Sequence, residues 1–218
     1  MSSTPPTERD AYRHDATALL AALPRPRRPR VPLFVGPSEL DLGAAPVVAA
    51  RFEALGARVE ETWLDGAIAT RDSVVLAACV VGVADDLLLG TAYPRTRGLL
   101  RASIPASVAS VDVVPRQHAT VLGWAARLGI VHECVVDESA ARGALFVRGA
   151  EEDARTLLTP DVTAAILALG PLFWRLEIGD GVVELSWRAS RFDAEVVLPA
   201  ETVEIVVAVA HAAVSSAA

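Results

Sequence analysis

Apolar and polar residues alternate on both sides of the dipeptide Asp180-Gly181. This dipeptide predicts a two-residue hairpin turn, because aspartate and glycine tolerate the positive φ that both central positions require. The resulting register places three apolar pairs on one face of the ribbon: Val183 with Ile178, Leu185 with Leu176, and Trp187 with Trp174. The other face receives Phe173 with Arg188, Arg175 with Ser186, and Glu177 with Glu184. We therefore expect both tryptophans to pack inward and the arginines to face outward.

Two segments that begin with proline match each other under a fixed offset, and each predicts a helix. They are PVVAARFEALG, residues 46–56, and PDVTAAILALG, residues 160–170. Proline suits the first turn of a helix, glycine suits its C-terminal end, and Thr159 can cap the second segment. A short apolar strand precedes each helix, at residues 33–36 and 145–149. The match predicts two related strand-helix-hairpin halves.

A hairpin signal follows each of these helices, Asp65-Gly66 in the first half and Asp180-Gly181 in the second. Between the halves, strands are predicted at residues 74–83, 87–93, 99–104, 107–114 and 130–136. In the fourth of these, Val111 and Val113 lie on the side opposite Asp112. A helix is predicted at 118–128. Antiparallel hairpins mixed with a few packed helices predict an α+β fold with a mainly antiparallel sheet.

The two ends of the chain have their own patterns. Residues 7–23 carry an apolar stripe at helical spacing, and the PRPRRPR segment that follows favours an extended basic linker. We therefore expect residues 1–30 to form a helix and linker that are partly mobile. The first half then spans 31–129 and the second 130–218. Near the C-terminus, residues 201–214 carry a helical stripe, although their valines would also suit a strand.

Composition excludes several classes of enzyme. All 20 basic residues among the 218 are arginine, and the chain contains no lysine. Walker-type phosphate loops, pyridoxal Schiff bases, kinases and Ser-Lys hydrolases all require a lysine. The motifs Gly-x-Ser-x-Gly, His-Glu-x-x-His and Gly-x-Gly-x-x-Gly are also absent from the sequence. His118 and His211, both expected on helices, therefore have no motif to serve.

Charge and cysteine usage bear on partners and compartment. The formal net charge is −7, but residues 1–30 carry six arginines against three acidic residues, so the remainder carries −10. An acidic body repels the phosphate backbone, and we expect no nucleic-acid binding. Two cysteines in apolar runs suit a reducing compartment. The N-terminus lacks a secretory pattern and the apolar runs fall short of the ~20 residues of a membrane span. We therefore expect a cytoplasmic protein without stable membrane insertion.

The C-terminal half resembles a family of uncharacterised bacterial proteins. The resemblance covers about 70 residues from LFVRGAEEDARTLLTP onward, and its signature, Leu157-Leu158-Thr159-Pro160, precedes a helix and a hairpin. Some members of that family carry membrane-spanning segments. The family has no established activity, so the resemblance implies a fold module and no particular chemistry.

Two pairs of residues are candidates for catalysis or metal binding. Glu177 and Glu184 face each other in the hairpin and could share a proton or hold a cation, but Arg175 and Arg188 on the same face would neutralise them. His132 and Cys134 share a face of the predicted strand and suit a soft metal, although no second ligand pair accompanies them. We therefore predict no catalytic residue, metal or cofactor.

Arginines are concentrated in the C-terminal half beside the two hairpin tryptophans. Arginine and tryptophan are enriched in binding hot spots, so the candidate ligand-binding residues are Arg148, Arg155, Arg175, Arg188 and Arg191. They favour a non-enzymatic binding or assembly module for a protein or a small anionic ligand, and a homodimer stays open. The alternatives are that the arginines only solubilise an acidic body, a metal-dependent or carboxylate-based hydrolase, and an envelope-associated adaptor that uses the PRPRRPR arm.

Overall fold

The protein has an α+β fold. The computed structural model describes residues 44–63, 66–83, 95–108, 110–119, 132–134, 139–189 and 193–217. The strands are β1 (Arg58–Trp63), β2 (Gly66–Arg71), β3 (Val74–Val83), β4 (Arg95–Ser103), β5 (Val111–Pro115), β6 (Leu145–Arg148), β7 (Phe173–Gly179) and β8 (Val182–Arg188). The α-helices are α1 (Ala45–Ala54), α2 (Ser139–Ala144), α3 (Glu151–Leu157), α4 (Pro160–Leu169), α5 (Ala194–Val197) and α6 (Ala200–Ala217). Two 3-10 turns are η1 (Arg116–His118) and η2 (Gly170–Leu172).

The eight strands of the described residues form one antiparallel sheet in the order β1-β2-β3-β4-β8-β7-β5-β6. Strands β1 to β4 follow the chain, whereas β5 inserts between β7 and β6. Both predicted halves therefore contribute strands to the same sheet. The repeat itself stays a prediction, because the strand expected at 33–36 lies outside the described residues.

The main core lies between one face of the sheet, called here the inner face, and the helices α1, α4 and α6. Alternate residues of successive strands point into it, and Leu76, Leu100, Leu185 and Leu176 are fully buried. Burial of this continuous apolar surface is the main force that holds helices and sheet together. The opposite face of the sheet, called the outer face, carries most of the charged side chains discussed below.

The valine-rich C-terminal segment forms the helix α6, so the helical option is right. It packs against α4, β4 and β8, and its buried residues include Val203, Val206 and Ala210. Within the described ranges, the stretch Ala194–Ala217 is long and apolar enough to cross a membrane, yet 61% of its most apolar 18-residue window is buried inside the protein. A core helix that is covered on several sides has this same composition.

Both helices predicted from the repeated segments are present. In α4, Pro160 occupies the first turn and the Thr159 hydroxyl accepts a hydrogen bond from the Val162 amide at 3.4 Å. Gly170 follows the helix with φ of +50°, and Gly56 lies two residues beyond α1 with φ of +75°. These glycines let the chain reverse direction where the helices end.

The β7–β8 hairpin has the predicted turn and, near the turn, the predicted register. Asp180 and Gly181 have φ of 51° and 79°. Four predicted pairs form: Arg175 with Ser186, Leu176 with Leu185, Glu177 with Glu184, and Ile178 with Val183.

The predicted register is wrong beyond Arg175. A bulge between Phe173 and Arg175 places Phe173, rather than Trp174, opposite Trp187. The extra residue reverses the facing of the strand, so Phe173 and Trp187 are buried while Trp174 is half-buried among outer-face side chains. The expected pair of inward tryptophans and the pair of Phe173 with Arg188 do not form.

Trp187 requires a glycine on the adjacent strand. It lies opposite Gly98 of β4, and a Cβ on Gly98 would fall 2.1 Å from the indole Cε2. The indole Nε1 donates a hydrogen bond to the Val196 carbonyl at 3.0 Å. Because Gly98 has no side chain, the buried indole of Trp187 can lie against the backbone of the neighbouring strand.

Several other predicted elements need correction. Gly66 is the first residue of β2 and pairs with Trp63, so it lies within the strand and not at the centre of the turn predicted at Asp65-Gly66. The strand expected at 99–104 begins at Arg95. Residues 132–134 are not in a strand, although the Cys134 amide donates to the Val147 carbonyl at 2.9 Å.

Other predictions fall wholly or partly outside the described residues. The helix expected at 118–128 is described only at its start, where His118 ends the η1 turn. Residues 120–131 are outside the described ranges, as are the strand predicted at 87–93 and the N-terminal helix and linker of residues 1–30.

Candidate functional site

The outer face of the sheet carries three of the five arginines predicted to bind a ligand: Arg148, Arg175 and Arg188. Arg155 lies apart from them on α3, where it forms an exposed ion pair with Glu151 at 2.6 Å. Arg191 lies outside the described residues. These three outer-face arginines differ in their contacts. The contacts show which of the three are held by carboxylates of the protein.

Arg148 and Arg175 hold a buried carboxylate. Asp112 is 6% exposed on the outer face of β5, so its predicted facing is right but its burial is deeper than a polar position suggests. Arg175 Nε donates to one carboxylate oxygen at 2.7 Å, and an Arg148 amino group donates to the other at 2.9 Å. The Asp112 hydrogen bond and charge raise the pKa of Arg175 above its ordinary value. This cluster stabilises strands β5, β6 and β7.

Glu177 and Glu184 face each other as predicted, but each is paired with an arginine. Arg101 of β4 donates to Glu184 through Nε at 2.5 Å, and Arg175 lies 3.2 Å from Glu177. The expectation that Arg188 neutralises these carboxylates is wrong, because the bulge brings Trp174 to Arg188 instead. Two carboxylates that are each ion-paired are poorly placed to share a proton.

The Trp174 ring lies close to two further arginines of the outer face. The Arg97 guanidinium lies 4.4 Å from the centroid of the Trp174 ring, and the Arg188 guanidinium lies 5.7 Å from it. Both distances are in the range of cation–π interactions. We call Arg97, Trp174 and Arg188 the arginine–tryptophan site.

Arg97 and Arg188 are also direct cross-strand partners in the β4–β8 pair. Beyond them, the Ala189 amide donates to the Thr96 carbonyl at 3.1 Å and the Thr96 hydroxyl donates to the Ala189 carbonyl at 2.5 Å. These bonds fix the register on both sides of the arginine pair. Arg188 is exposed, and within the described ranges no carboxylate forms an ion pair with it.

His118 borders the same indole. Its ring centroid lies 4.8 Å from that of Trp174, with the planes tilted by 41°. Burial, and then the positive charge of Arg188, lower the pKa of His118 below its ordinary value of 6.5. Both effects favour the neutral imidazole over the imidazolium beside the two guanidiniums.

His132 and Cys134 do not form the predicted shared face. His132 is exposed, whereas Cys134 is buried and its thiol donates to the Gly149 carbonyl at 3.0 Å. Burial, and then the charge of Glu151, raise the pKa of Cys134. Across the residues that the structure describes, no three histidine, cysteine, aspartate or glutamate side chains are grouped to hold a metal ion.

His211 lines a cleft of about 710 Å³ between α6, the β2–β3 turn and the end of β4. Its Nε2 lies 3.0 Å from the Asp72 carbonyl oxygen. The Asp72 carboxylate lies 3.5 Å from Arg71, and the Ser215 hydroxyl donates to a carbonyl of its own helix. These contacts join α6 to the turn, and none of them pairs a hydroxyl with an imidazole.

Sequence reasoning missed Arg97 and the role of His118. Arg97 enters the site because β4 pairs with β8, which places it opposite Arg188, 91 residues later in the sequence. No local sequence pattern indicates which strands become neighbours. The signal that was available is Gly98, an isolated glycine inside an apolar strand pattern, which indicates the close approach of another group.

No protein-family model matches the chain, and no curated protein sequence matches it. Among solved structures, the crystal structure of the mycobacterial trehalose monomycolate transport factor A, TtfA, is similar with a TM-score of 0.45 and 7% identity. The similar region covers 78% of this chain and 94% of that chain. At this TM-score the similarity establishes neither family nor function for this chain.

Proposed function

We propose that this protein is a non-enzymatic binding module that holds an anionic group of its ligand at the arginine–tryptophan site. The ligand carries a carboxylate or a phosphate-type group, whether it is a small molecule or part of a protein. The observation that carries the proposal is the direct opposition of Arg97 and Arg188 across two paired strands.

Like charges directly opposite each other destabilise a pair of strands. Here the Trp174 ring lies against both guanidiniums and offsets part of that repulsion. An anion bound at Arg188 would offset it further, and would gain charge-assisted hydrogen bonds from a planar donor that suits carboxylates and phosphates. Arg188 beside the Trp174 ring is thus a suitable contact for an anion.

The neighbouring contacts support binding over acid–base chemistry. Glu177 and Glu184, the carboxylates of the hydrolase hypothesis, are ion-paired with Arg175 and Arg101. Arg148 and Arg175 are occupied by Asp112, so Arg188 is the outer-face arginine that best serves a ligand. The outer face therefore combines arginines that are ion-paired with carboxylates of the protein and Arg188, which is exposed and forms no ion pair with a described carboxylate.

The test is a titration of the purified chain with citrate and with pyrophosphate, followed through the indole NMR signal of Trp174. The signal is assigned by its loss in Trp174→Phe. We expect saturable shifts for the wild type. We expect affinity to fall about tenfold, or ~1.4 kcal/mol, in Arg188→Ala, because one of two anion-binding guanidiniums is lost.

Arg155→Ala is the matched control, since it removes another exposed arginine that lies on α3 away from the site. We expect this variant to bind both probes as the wild type does. If folded protein gives no saturable Trp174 shift with either probe, or if Arg155→Ala weakens binding as much as Arg188→Ala, the proposed function is wrong.

A further inference from the structure

His118 borders the arginine–tryptophan site and is a third basic side chain beside Arg97 and Arg188. His118 is an exposed residue at the end of η1, and its imidazole lies against the same indole as the two guanidiniums. A neutral imidazole adds no charge to the site, whereas an imidazolium adds a positive charge and two N–H donors.

We propose that His118 supplies a third, proton-dependent positive charge to this site, which makes it selective for doubly charged oxyanions of the phosphate or sulfate type over a single carboxylate. The inference rests on the proposed anion-binding function and names the class of ligand. Its structural basis is the convergence of Arg97, Arg188 and His118 on one Trp174 ring.

The charges around His118 determine how it responds to a ligand. On its own turn, Arg116 is ion-paired with Glu133; Arg142 lies on the packed helix α2. Arg188 on β8 disfavours the imidazolium, and Arg97 lies on the indole that His118 contacts. Burial, and then the positive charge of Arg188, favour the neutral imidazole.

A bound dianion opposes this preference. It neutralises the field of Arg188 and favours the charged form of His118, so that binding is accompanied by proton uptake. By linkage, affinity rises as the pH falls through the titration of His118 in the complex, and becomes constant below the pKa of His118 in the empty site. The limiting slope is about tenfold in affinity per pH unit for one proton.

The third charge also sets the ligand class. A carboxylate brings one negative charge, which a single guanidinium fork can satisfy. A phosphate monoester brings close to two charges near neutral pH and three acceptor oxygens, enough for both guanidiniums and the imidazolium. A doubly charged oxyanion therefore gains from His118 protonation more than a carboxylate does.

The first experiment measures the affinity of sulfate and of acetate for the full chain as a function of pH. Sulfate is a dianion throughout the range in which histidine titrates, so any pH dependence of its affinity comes from the protein. We expect sulfate affinity to rise several-fold as the pH is lowered, with calorimetric proton uptake, and acetate affinity to rise less. In His118→Gln the sulfate dependence should be flat.

His132→Gln is the matched control, because it removes an exposed histidine outside the site, and we expect it to retain the wild-type pH dependence. Thermal unfolding establishes that each variant is folded. Sulfate binding whose pH dependence is absent, or is unchanged in His118→Gln, overturns this inference and leaves the proposed function standing. Failure of sulfate, citrate and pyrophosphate to bind at any pH overturns the proposed function as well.

A phosphate-type group can belong to a free molecule or to a lipid headgroup. The second experiment therefore compares inorganic phosphate in solution with phosphatidylcholine vesicles that contain or lack phosphatidic acid. Binding of free phosphate that depends on His118 supports a soluble source. Binding confined to phosphatidic acid vesicles and lost in His118→Gln supports a headgroup. Binding in either arm that is unaffected by His118→Gln contradicts the inference.

Discussion

Arg97 and Arg188 are direct partners across the β4–β8 pair, and both guanidiniums contact the ring of Trp174. The bulge in β7 makes this arrangement, because it turns Trp174 to the outer face while Phe173 takes the inner position opposite Trp187. The half-buried indole then serves as a shared platform for two like charges. We therefore expect its contribution to stability to be linked to the proposed anion binding.

The first prediction concerns the coupling between Trp174 and Arg188. We expect Trp174→Leu to lower the free energy of unfolding of the wild type. In the Arg188→Gln background the same substitution should cost about 0.5–1 kcal/mol less, because the cation–π contact is already absent there. Urea denaturation of the two single variants and the double variant measures this coupling. The same cycle with Arg155→Gln should be additive, whereas additivity in the Arg188 cycle would contradict the assigned contact.

The hairpin could be predicted from its sequence only where its structure depends on neighbouring residues. The Asp180-Gly181 turn and the alternation from Arg175 onward depend on neighbouring residues, and both are right. Phe173 and Trp174 are adjacent aromatics, and either suits the inner face. The choice depends on the indole of Trp187 in the partner strand of the hairpin, and that indole in turn needs the space left by Gly98 of the distant strand β4.

The candidate site could likewise be predicted from the sequence only in part. The sequence indicates that arginines of the hairpin face outward, which holds for Arg175 and Arg188. It does not indicate that Asp112 is buried between two of them, since the neighbours of β5 come from strands that follow much later in the chain. Nor does it indicate the β2–β3 turn, where Asp72 and Ser73 have φ of 50° and 67° without a glycine.

The second prediction concerns Asp112. Asp112→Asn removes the charge that both Arg148 and Arg175 contact. We expect a loss of about 1–2 kcal/mol in the free energy of unfolding, less than for a fully buried ion pair, because both guanidiniums remain partly exposed to water. Urea denaturation measures it. Arg155→Ala, which breaks an exposed pair on α3, should change stability by less than about 0.5 kcal/mol. Equal effects would contradict a structural role for Asp112.

The third prediction concerns the contact between Gly98 and Trp187. A methyl group on Gly98 would lie 2.1 Å from the indole, so we expect Gly98→Ala to displace Trp187 and to destabilise the protein by about 3 kcal/mol or more. The comparison is Gly143→Ala in α2, where nothing lies within 4 Å of the added Cβ and helix propensity favours alanine by roughly 0.5–1 kcal/mol. Thermal unfolding of both variants gives the answer, and a tolerated Gly98→Ala would contradict the described packing.

The fourth prediction is a loss of stability at alkaline pH that depends on Cys134. Burial and the charge of Glu151 raise the pKa of this thiol in the folded state above its ordinary value of 9.0. The folded protein therefore retains the proton that the unfolded chain releases. This contribution to stability is complete below pH 9 and is lost as the pH rises from there through the pKa of the folded state.

The composition makes this measurement selective. The chain contains no lysine, so the groups that titrate in the same alkaline range are two cysteines and two tyrosines. We expect the difference in free energy of unfolding between the wild type and Cys134→Ala to be constant near neutral pH and to decrease above pH 9. The thiol should also react slowly with a disulfide reagent at neutral pH, because the reactive thiolate is scarce. A difference that is independent of pH, together with rapid modification of Cys134 in the folded protein, would show that this thiol is accessible to water and has no raised pKa.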